Sequence, residues 1–546
     1  MARAMERFES ICRAMADAGF YPHAVSRVER RDTHISTVFL TGDWVYKLKK
    51  PVDFGFLDFT TLEARRRFCR REVVLNQRMS HGVYDSVIEI RQEETGLFRM
   101  GERGEVVEVA VRMRQLSDSS CLKSILLESG TPGSPTDEWL APKMCSLGAS
   151  LARFYERCDR SSEIDEFGMP ELVAFNMEEN FRQIAPFVSE VVPREPWELI
   201  REVSRSFFRR HESLFLRRVA DGRIRDGHGD LRTDHIFIEN GIQIIDCIEF
   251  NDRFRYGDAA LDLAFLHMDF EHLGRPDLSL EVLAAYVREA RDPELYALLD
   301  FYASYRAVVK LKVSCLRFGE VQDPVERTAL GREARLFLDQ AYRYAIQFSR
   351  PTVWVCCGLP ATGKSVLADG LGTALAIKVF QTDRIRKELE GMEPHDERVE
   401  PYDAGMYRRE RRNRVYAHML SLAMEELKHG RSVVLDGSFS QRKWRHEARL
   451  LAEDMDANIM VVTCACDEAV VRSRLRDREG RGGVSDARLE HLPRMMEEFE
   501  PVTEGPAETV ISVDTGRPAD EVLEEVLSWA CRSRSVQVRQ LMERRL

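Results

Sequence analysis

In the first part of the chain, short alternating segments give way to long helical patterns. Alternation of apolar and polar residues predicts strands at 35–40 and 44–49, and a helical stretch follows at 61–78. From residue 140 onward the apolar spacing is mainly that of helices, apart from a compact loop-and-strand section at 227–250. This order predicts a small β-rich lobe followed by a mainly helical lobe.

The strongest boundary in the chain lies near residues 347–351. A helical pattern ends at Ser349, and Pro351 prevents its continuation. Beyond it, apolar strand-like segments alternate with helical patterns, which predicts a parallel sheet covered by helices on both faces. The predicted strands are 353–357, 378–381, 432–435, 457–464 and 510–513. We therefore expect two domains, residues 1–349 and 351–546.

Length, composition and charge narrow the class of protein. A chain of 546 residues is too long for one hydrophobic core, and 44% apolar with 31% charged residues is ordinary for a globular protein. We find no apolar run of membrane-spanning length and no signal-peptide core, so we expect a cytoplasmic protein. The net charge of −11 argues against a general nucleic-acid binder. The twelve cysteines show no zinc-binding spacing, which favours reduced thiols.

A phosphate-binding motif follows the first strand of the second part. The sequence GLPATGKS fits the pattern G-x-x-x-x-G-K-[ST]. Its glycines let backbone N–H groups point at phosphate oxygens, and the helix that follows adds its positive end. We expect Lys364 to contact the β- and γ-phosphates of ATP and Ser365 to bind Mg²⁺. The predicted nucleotide-binding residues are Gly358, Leu359, Pro360, Ala361, Thr362, Gly363, Lys364 and Ser365.

Two carboxylates end neighbouring strands of the predicted parallel sheet. Asp436 ends one strand, in the position from which an aspartate orients Mg²⁺ or its water, although it can also simply cap the following loop. Asp383 ends another strand, and Arg386 follows three residues later. At the carboxyl edge of the sheet, Asp383 can accept a proton from an attacking hydroxyl, and it can also cap the helix that begins there.

Together these motifs resemble the P-loop kinases related to polynucleotide kinase and the zeta toxins, over about residues 351–530. The resemblance implies that Asp383 acts as the base and that Arg386 contacts the acceptor or the transferring phosphate. It also implies an arginine that closes over the phosphates, either Arg474 or Arg478, and we assign this role to Arg478. Besides the P-loop, the resemblance rests on the stretches 382–386, 435–437, 472–481 and 485–487.

A second set of acidic residues occurs in the first part of the chain. The loop that begins His228-Gly229-Asp230 precedes a short strand, and Asp246 ends the next strand. Two acids on adjacent strand ends suit metal-assisted phosphoryl transfer, because one can position the acceptor hydroxyl while the other holds Mg²⁺.

This loop, Asp246 and the following 258–264 stretch resemble the aminoglycoside phosphotransferase-like branch of the protein-kinase fold, over about residues 6–349. The resemblance implies an α+β bilobal domain, ATP as phosphate donor, Asp230 as the catalytic residue and Asp246 as a metal ligand. It also implies a lysine–glutamate pair, for which Lys47 and Glu72 are the candidates. Strand alternation places Lys49 on the same face as Lys47. Residues 45–59 are similar to a bacterial subgroup often fused to a P-loop kinase domain.

The chain departs from that family at two places. The family motif is H-G-D-x-x-x-x-N, but His235 stands at the position of the asparagine, and imidazole suits softer metals than Mg²⁺. We keep His235 as a candidate metal ligand. No G-x-G-x-x-G motif occurs near the first strands, so a different loop has to cover the phosphates. The domain therefore either works with one metal ion or binds nucleotide without transferring phosphate.

These features support three functional hypotheses. The leading one is a bifunctional kinase in which both domains transfer the γ-phosphate of ATP to a hydroxyl of a small molecule. The second is a single P-loop kinase with a nucleotide-binding pseudokinase at its N-terminus, and the third is an ATP-driven binding switch. The sequence identifies neither the acceptor nor the oligomeric state, because acceptor pockets vary freely on one scaffold.

Overall fold

The computed structural model describes residues 2–130, 132–133, 136–392, 408–478 and 488–543. The chain forms two compact units, and each is assembled from two separate stretches of sequence. The first unit contains residues 1–173 and 215–282, and the second contains residues 174–214 and 283–546. The division of the sequence into domains at residue 350 stays a prediction.

Among the described residues before position 350, the chain has ten strands. They are β1 Glu29–Asp32, β2 Ser36–Leu40, β3 Trp44–Lys49, β4 Tyr84–Gln92, β5 Phe98–Met100, β6 Glu105–Arg114, β7 Ile224–Asp226, β8 Ile236–Ile238, β9 Ile242–Ile244 and β10 Tyr256–Asp258. Its α-helices are α1 Ala2–Met15, α2 Leu62–Asn76, α3 Leu122–Ser129, α4 Thr136–Arg157, α5 Ser162–Asp165, α6 Pro170–Ile184, α7 Arg194–Arg210, α8 Glu212–Ala220, α9 Asp252–Arg255, α10 Ala259–His272, α11 Pro276–Ala290, α12 Leu295–Glu320 and α13 Pro324–Ser349.

The first unit is built around a six-stranded antiparallel sheet in the order β1-β2-β3-β6-β4-β5. Because side chains alternate along a strand, β3 presents Tyr46 and Leu48 to one face, where they pack with α1. Its other face carries Val45, Lys47 and Lys49, on the side that packs against α2. Two short antiparallel ribbons, β7–β10 and β8–β9, carry the loops that contain the predicted acids.

The second unit contains a five-stranded parallel sheet. Its strands are β11 Thr352–Cys357, β12 Lys378–Gln381, β13 Val433–Asp436, β14 Asn458–Ala465 and β15 Val510–Asp514, in the order β12-β13-β11-β14-β15. Its helices after residue 350 are α14 Lys364–Leu375, α15 Thr382–Leu389, α16 Arg409–Lys428, α17 Arg442–Asp454, α18 Glu468–Arg478, α19 Leu492–Glu497 and α20 Ala519–Glu543.

The parallel sheet is covered on both faces, as the alternation of strands and helices predicts. All six residues of β11 are buried, which is why this strand is a continuous apolar run rather than an alternating one. Helices α16 and α17 cover one face of the sheet. Helices α14 and α20 pack against each other and against strands of the sheet, and they cover the other face. Helices α12 and α13, which precede the boundary predicted from the sequence, pack against α20. No helix in the described part of the chain combines the length and hydropathy needed to cross a membrane.

Candidate active sites

The P-loop motif forms a tight turn between β11 and α14. Gly358 has a positive φ of 143°, and a Cβ atom there would lie 2.4 Å from the carbonyl oxygen of Cys464. Gly363, at φ 86°, precedes the first turn of α14, whose leading N–H groups have no helical acceptor. Lys364 Nζ donates to the carbonyl of Leu359 at 2.8 Å, across the mouth of the loop. The turn therefore has the backbone shape of an anion cradle with a lysine at its edge.

Two side chains from other elements brace this loop. The hydroxyl of Thr515 donates to the carbonyls of Thr362 and Ala465. The guanidinium of Arg474, on α18, donates to the carbonyl of Ala361 at 3.2 Å and to that of Thr515 at 3.0 Å. Sequence reasoning included Arg474 as a candidate phosphate contact but missed Thr515, which follows the last strand and belongs to no motif.

The predicted acids of the second unit lie at the carboxyl edge of the sheet. Asp436 is buried and contacts the Ser365 hydroxyl, and Gln381 pairs in register with it on β12. Burial raises the pKa of Asp436, while Lys364 opposes the rise and the charge of nearby Asp383 adds to it. The charge of Asp383 therefore acts on Asp436, as expected for two carboxylates at the same edge of the sheet.

Arg386 is held against Asp383. Its Nη1 donates to Asp383 Oδ1 at 2.6 Å, as their spacing of three residues on α15 allows. Arg478 ends α18, but its side chain lies outside the described residues, as do residues 479–487. Its assignment as the arginine over the phosphates therefore stays a prediction.

In the first unit, three of the predicted residues line one cavity of about 420 Å³, whereas Glu72 and His235 are not among its lining residues. Lys47, Asp230 and Asp246 contribute charged groups to its wall. Apolar side chains from the sheet and from the segment that follows β6 form another part of the wall, namely Val38, Leu40, Val45, Met113 and Leu116. A volume of this size with a few convergent charges is typical of a small-ligand site.

Lys47 stands between two carboxylates. Its Nζ lies 2.9 Å from Glu72 Oε1 and also forms an ion pair with Asp246. Burial alone would lower the pKa of Lys47, but the charges of Asp246 and Glu72 outweigh it and raise the pKa well above its usual value. Asp246 adopts a left-handed backbone conformation at φ 66°, which costs a non-glycine residue on the order of 1–3 kcal/mol. The structure thus brings together the lysine, the glutamate and the metal-binding acid predicted from the sequence.

A second lysine–glutamate contact lies behind the first and was missed by sequence reasoning. Lys49 Nζ lies 2.7 Å from Glu72 Oε2 and also pairs with Glu249, and all three side chains are buried. Glu72 therefore divides its two oxygens between Lys47 and Lys49. The available signal was an acid, Glu249, within the apolar stretch that follows Asp246.

Replacing Lys49 by methionine is expected to destabilise the first unit by about 3–5 kcal/mol, because Glu72 and Glu249 then lose a buried countercharge. Urea unfolding of the full chain, compared with the unchanged protein, measures this loss. Lys123→Met is the matched control, since Lys123 is exposed on α3. A shift no larger than that of the control would show that the inner ion pairs contribute nothing to stability.

Hydrogen bonds to Asp262 hold the loop that carries Asp230. The carboxylate of Asp262 accepts hydrogen bonds from the backbone N–H groups of His228 and Gly229 and from the hydroxyl of Tyr155. Burial lowers the pKa of His228 to about 4, so this imidazole is neutral at pH 7 and braces the loop. Asp230 itself is only partly buried and reaches the cavity.

The turn between β1 and β2 supplies part of the cavity wall where the sequence shows no glycine-rich motif. Thr33, Ile35 and Ser36 line the cavity. The hydroxyl of Ser36 is buried, and no residue in the described part of the chain accepts or donates a hydrogen bond to it. This turn is a candidate for the phosphate cover that the sequence left unassigned.

Comparison with known proteins matches a part of each region to a protein family. Residues 147–299 match the family described as the phosphotransferase enzyme family, and residues 353–502 match the family described as an AAA domain. The chain is therefore a kinase, with an aminoglycoside phosphotransferase-like region followed by a nucleotide-binding P-loop region. Regions of these two types imply the use of ATP.

The chain belongs to the family of the uncharacterized protein Rv2004c of Mycobacterium tuberculosis. The two proteins are 34% identical over 464 residues, which cover 85% of this chain and 88% of the relative. The uncharacterized protein Mb2027c of Mycobacterium bovis matches with the same identity and coverage.

Solved structures resemble each region separately. A gluconokinase from Sinorhizobium meliloti covers 36% of this chain and 98% of its own, at 19% identity and a TM-score of 0.26. A choline/ethanolamine kinase family protein from Mesorhizobium loti covers 62% and 99%, at 12% identity and a TM-score of 0.36. A point mutant of an aminoglycoside 2′-phosphotransferase of type IIIa, in its GDP complex, covers 62% and 97%, at 13% identity and a TM-score of 0.36.

Proposed function

We propose that this protein is a bifunctional ATP-dependent phosphotransferase. Residues 1–349 and residues 351–546 would each transfer the γ-phosphate of ATP to a hydroxyl of a small molecule. One observation supports the proposal: each unit brings a lysine together with two aspartates, one of which we propose as the base and the other as the metal ligand. That combination is what phosphoryl transfer requires, since the protein mainly has to position the reactants and balance their charge.

In the P-loop region, the backbone of residues 358–365 would hold the phosphates. Lys364 would release the Leu359 carbonyl and turn to the β- and γ-phosphate oxygens. Asp383 would accept the proton of the attacking hydroxyl. Arg386, already bonded to Asp383, orients that carboxylate and can contact the anionic acceptor or the transferring phosphate.

In the kinase-like region, the apolar wall of the cavity would receive the adenine ring. Lys47, held by Glu72, would contact the phosphates, and its raised pKa keeps it positively charged. Asp230 lies in a loop braced by Asp262, so its carboxylate is positioned to accept the acceptor proton. The two acids reach the same cavity, as in-line transfer requires.

The residues present suit a divalent cation in both regions. Ser365 and Asp436 contact each other and offer the oxygen donors that Mg²⁺ prefers. In the first unit the candidate donors are a carboxylate oxygen of Asp246 and a ring nitrogen of His235. When bound, the cation would neutralise charge on the phosphates.

Replacing Ser36 by alanine is expected to weaken ATP binding to the kinase-like region about 10- to 150-fold, because a hydrogen bond to a charged group contributes about 1.5–3 kcal/mol. Calorimetric titration of ATP in the Lys364→Ala background measures the effect with the P-loop site impaired. Ser119→Ala, at an exposed serine of the same unit, is the control. Unchanged affinity would remove the β1–β2 turn from the phosphate site.

Transfer of labelled γ-phosphate from ATP to a panel of sugars, amino alcohols and nucleosides tests the proposal as a whole. The full chain, Lys364→Ala, Asp230→Asn and the double variant are assayed in parallel. Bifunctionality predicts that each single variant loses a different product and that the double variant loses both.

Other outcomes would replace the proposal by its alternatives. Loss of every product in Lys364→Ala, with Asp230→Asn fully active, would leave one P-loop kinase beside a pseudokinase. Hydrolysis of ATP without any labelled acceptor, together with an ATP-dependent change in the affinity of a partner, would instead indicate a binding switch.

A further inference from the structure

An imidazole lies beside Asp246, one of the residues that line the kinase-like cavity, at a position where the family that this region resembles has an asparagine. His235 ends a short 3-10 turn directly before β8, after the Asp230 loop, and its ring is largely buried. An asparagine offers a metal ion an amide oxygen, whereas a histidine offers a nitrogen. Which cation the site accepts therefore depends on how this ring is oriented and protonated.

Hydrogen bonds fix the tautomer of His235. Its Nδ1 lies 2.8 Å from the backbone carbonyl of Asp230, which can only accept, so Nδ1 carries the hydrogen. Its Nε2 lies 3.2 Å from Nη2 of Arg232, which can only donate, so Nε2 carries the lone pair. A histidine whose Nδ1–H is bound to a backbone carbonyl and whose Nε2 is an acceptor is prepared as a metal ligand.

Two carboxylate oxygens face this lone pair. Asp246 Oδ2 lies 3.7 Å and Asp234 Oδ1 3.9 Å from Nε2, too far for hydrogen bonds. Two ligands of one cation, each at about 2.1 Å, lie about 3.0–3.6 Å apart at angles of 90–120°, so both oxygens would have to move slightly closer to Nε2 to share a cation with it. Asp234 Oδ1 is also a buried oxygen with no hydrogen-bond partner among the described residues.

The protein atoms alone do not complete a coordination shell. Within the described residues, no three His, Cys, Asp or Glu side chains form a ready-made metal cluster. The remaining ligands therefore have to come from the nucleotide phosphates and water, as in other kinases. A metal ion at Nε2 of His235 would displace the guanidinium of Arg232 from that atom. The ion pairs of Arg232 with Asp230 and Asp234 could still hold the displaced guanidinium.

We propose that the kinase-like site binds a divalent transition-metal ion in preference to Mg²⁺, through Nε2 of His235 and the carboxylate of Asp246. The proposal rests on the nucleotide-binding function proposed above for this cavity. Mg²⁺ is bound almost wholly by oxygen, whereas first-row transition metals accept imidazole nitrogen readily. Mn²⁺ is the probe of choice, because it supports octahedral phosphate coordination and is paramagnetic.

Pulsed electron paramagnetic resonance of Mn²⁺ with β,γ-methylene-ATP on the full-length protein tests the nitrogen ligand directly. The expected result is modulation from a directly bound imidazole ¹⁴N, which changes to the ¹⁵N pattern when histidine is ¹⁵N-labelled. The P-loop site cannot give this signal, since its donors, Ser365 and Asp436, are oxygens. His235→Asn, which restores an oxygen donor, should lose the modulation, while His81→Asn, at an exposed histidine, should keep it.

A kinetic measurement adds a second readout. The measurement uses the Lys364→Ala background and compares kcat/KM with Mn²⁺ to kcat/KM with Mg²⁺. Adding His235→Asn should lower this ratio about 10- to 100-fold, the range typical of losing a metal-supporting residue.

Absence of histidine modulation in the labelled wild-type chain overturns the metal proposal, even if transfer with Mg²⁺ is intact and the proposed function stands. Modulation without any transfer supports the metal proposal and instead makes this region a nucleotide-binding pseudokinase. Failure of the nucleotide to bind at this cavity overturns both proposals.

Discussion

Replacing Lys364 by alanine is expected to lower phosphoryl transfer by the P-loop region about 100- to 1,000-fold, the effect of removing one preorganised charge from a developing transition state. Lys364 is the positively charged residue near the end of the loop. Its Nζ donates a hydrogen bond to the carbonyl of Leu359 near the start of the same loop. The loss should fall mainly on kcat, because charge on the γ-phosphate oxygens is redistributed during transfer.

The measurement is transfer of labelled phosphate in the Asp230→Asn background, where only the P-loop region can act. Lys428→Ala is the matched control, since Lys428 forms an exposed pair with Glu425 at the end of α16, and it should leave the rate unchanged. Retention of full activity by Lys364→Ala would remove the P-loop from the proposed chemistry. Loss of activity in both variants would point to unfolding, which thermal denaturation of each variant would reveal.

Replacing Asp230 by asparagine is expected to lower kcat of the kinase-like region about 100- to 10,000-fold, the usual contribution of a positioned general base. Asparagine keeps the size of the side chain but cannot take up the hydroxyl proton. The loop backbone should be unaffected, because it is held by Asp262 through the N–H groups of His228 and Gly229. The affinity for ATP should therefore change little.

Single-turnover transfer in the Lys364→Ala background measures the effect of Asp230→Asn, and ATP titration of the same protein shows whether binding survives. Asp221→Asn, at an exposed aspartate before β7, is the control. Unchanged turnover would mean that Asp230 is not the base, and loss of ATP binding would mean that its role is structural.

The P-loop site was the part most open to sequence reasoning. Its lysine, hydroxyl and backbone cradle lie within eight consecutive residues, so local spacing alone predicts their chemistry. Asp383 and Asp436 were identifiable because strands of a parallel sheet end at one edge. Thr515 and Arg474 brace the loop from stretches of more than 100 residues further along the chain, and no local pattern indicates which carbonyls they contact.

The kinase-like site was predictable only through a family resemblance. Lys47, Glu72 and Asp246 are spread over two hundred positions, and periodicity could show only that Lys47 and Lys49 share one face. The structure assigns the two lysines to different contacts, with Lys47 facing the cavity and Lys49 buried against Glu249.

The amino-acid order by itself determined the alternation of elements, the boundary signal at Pro351 and the phosphate-binding turn, because each depends on residues that are neighbours in the chain. Only the tertiary structure decided that Glu72 is shared by two lysines, that the Ser36 hydroxyl is buried without a hydrogen-bond partner among the described residues, and that His235 presents Nε2 to Asp246. Those outcomes depend on which distant strands and loops pack together and on which hydrogen bonds their burial requires.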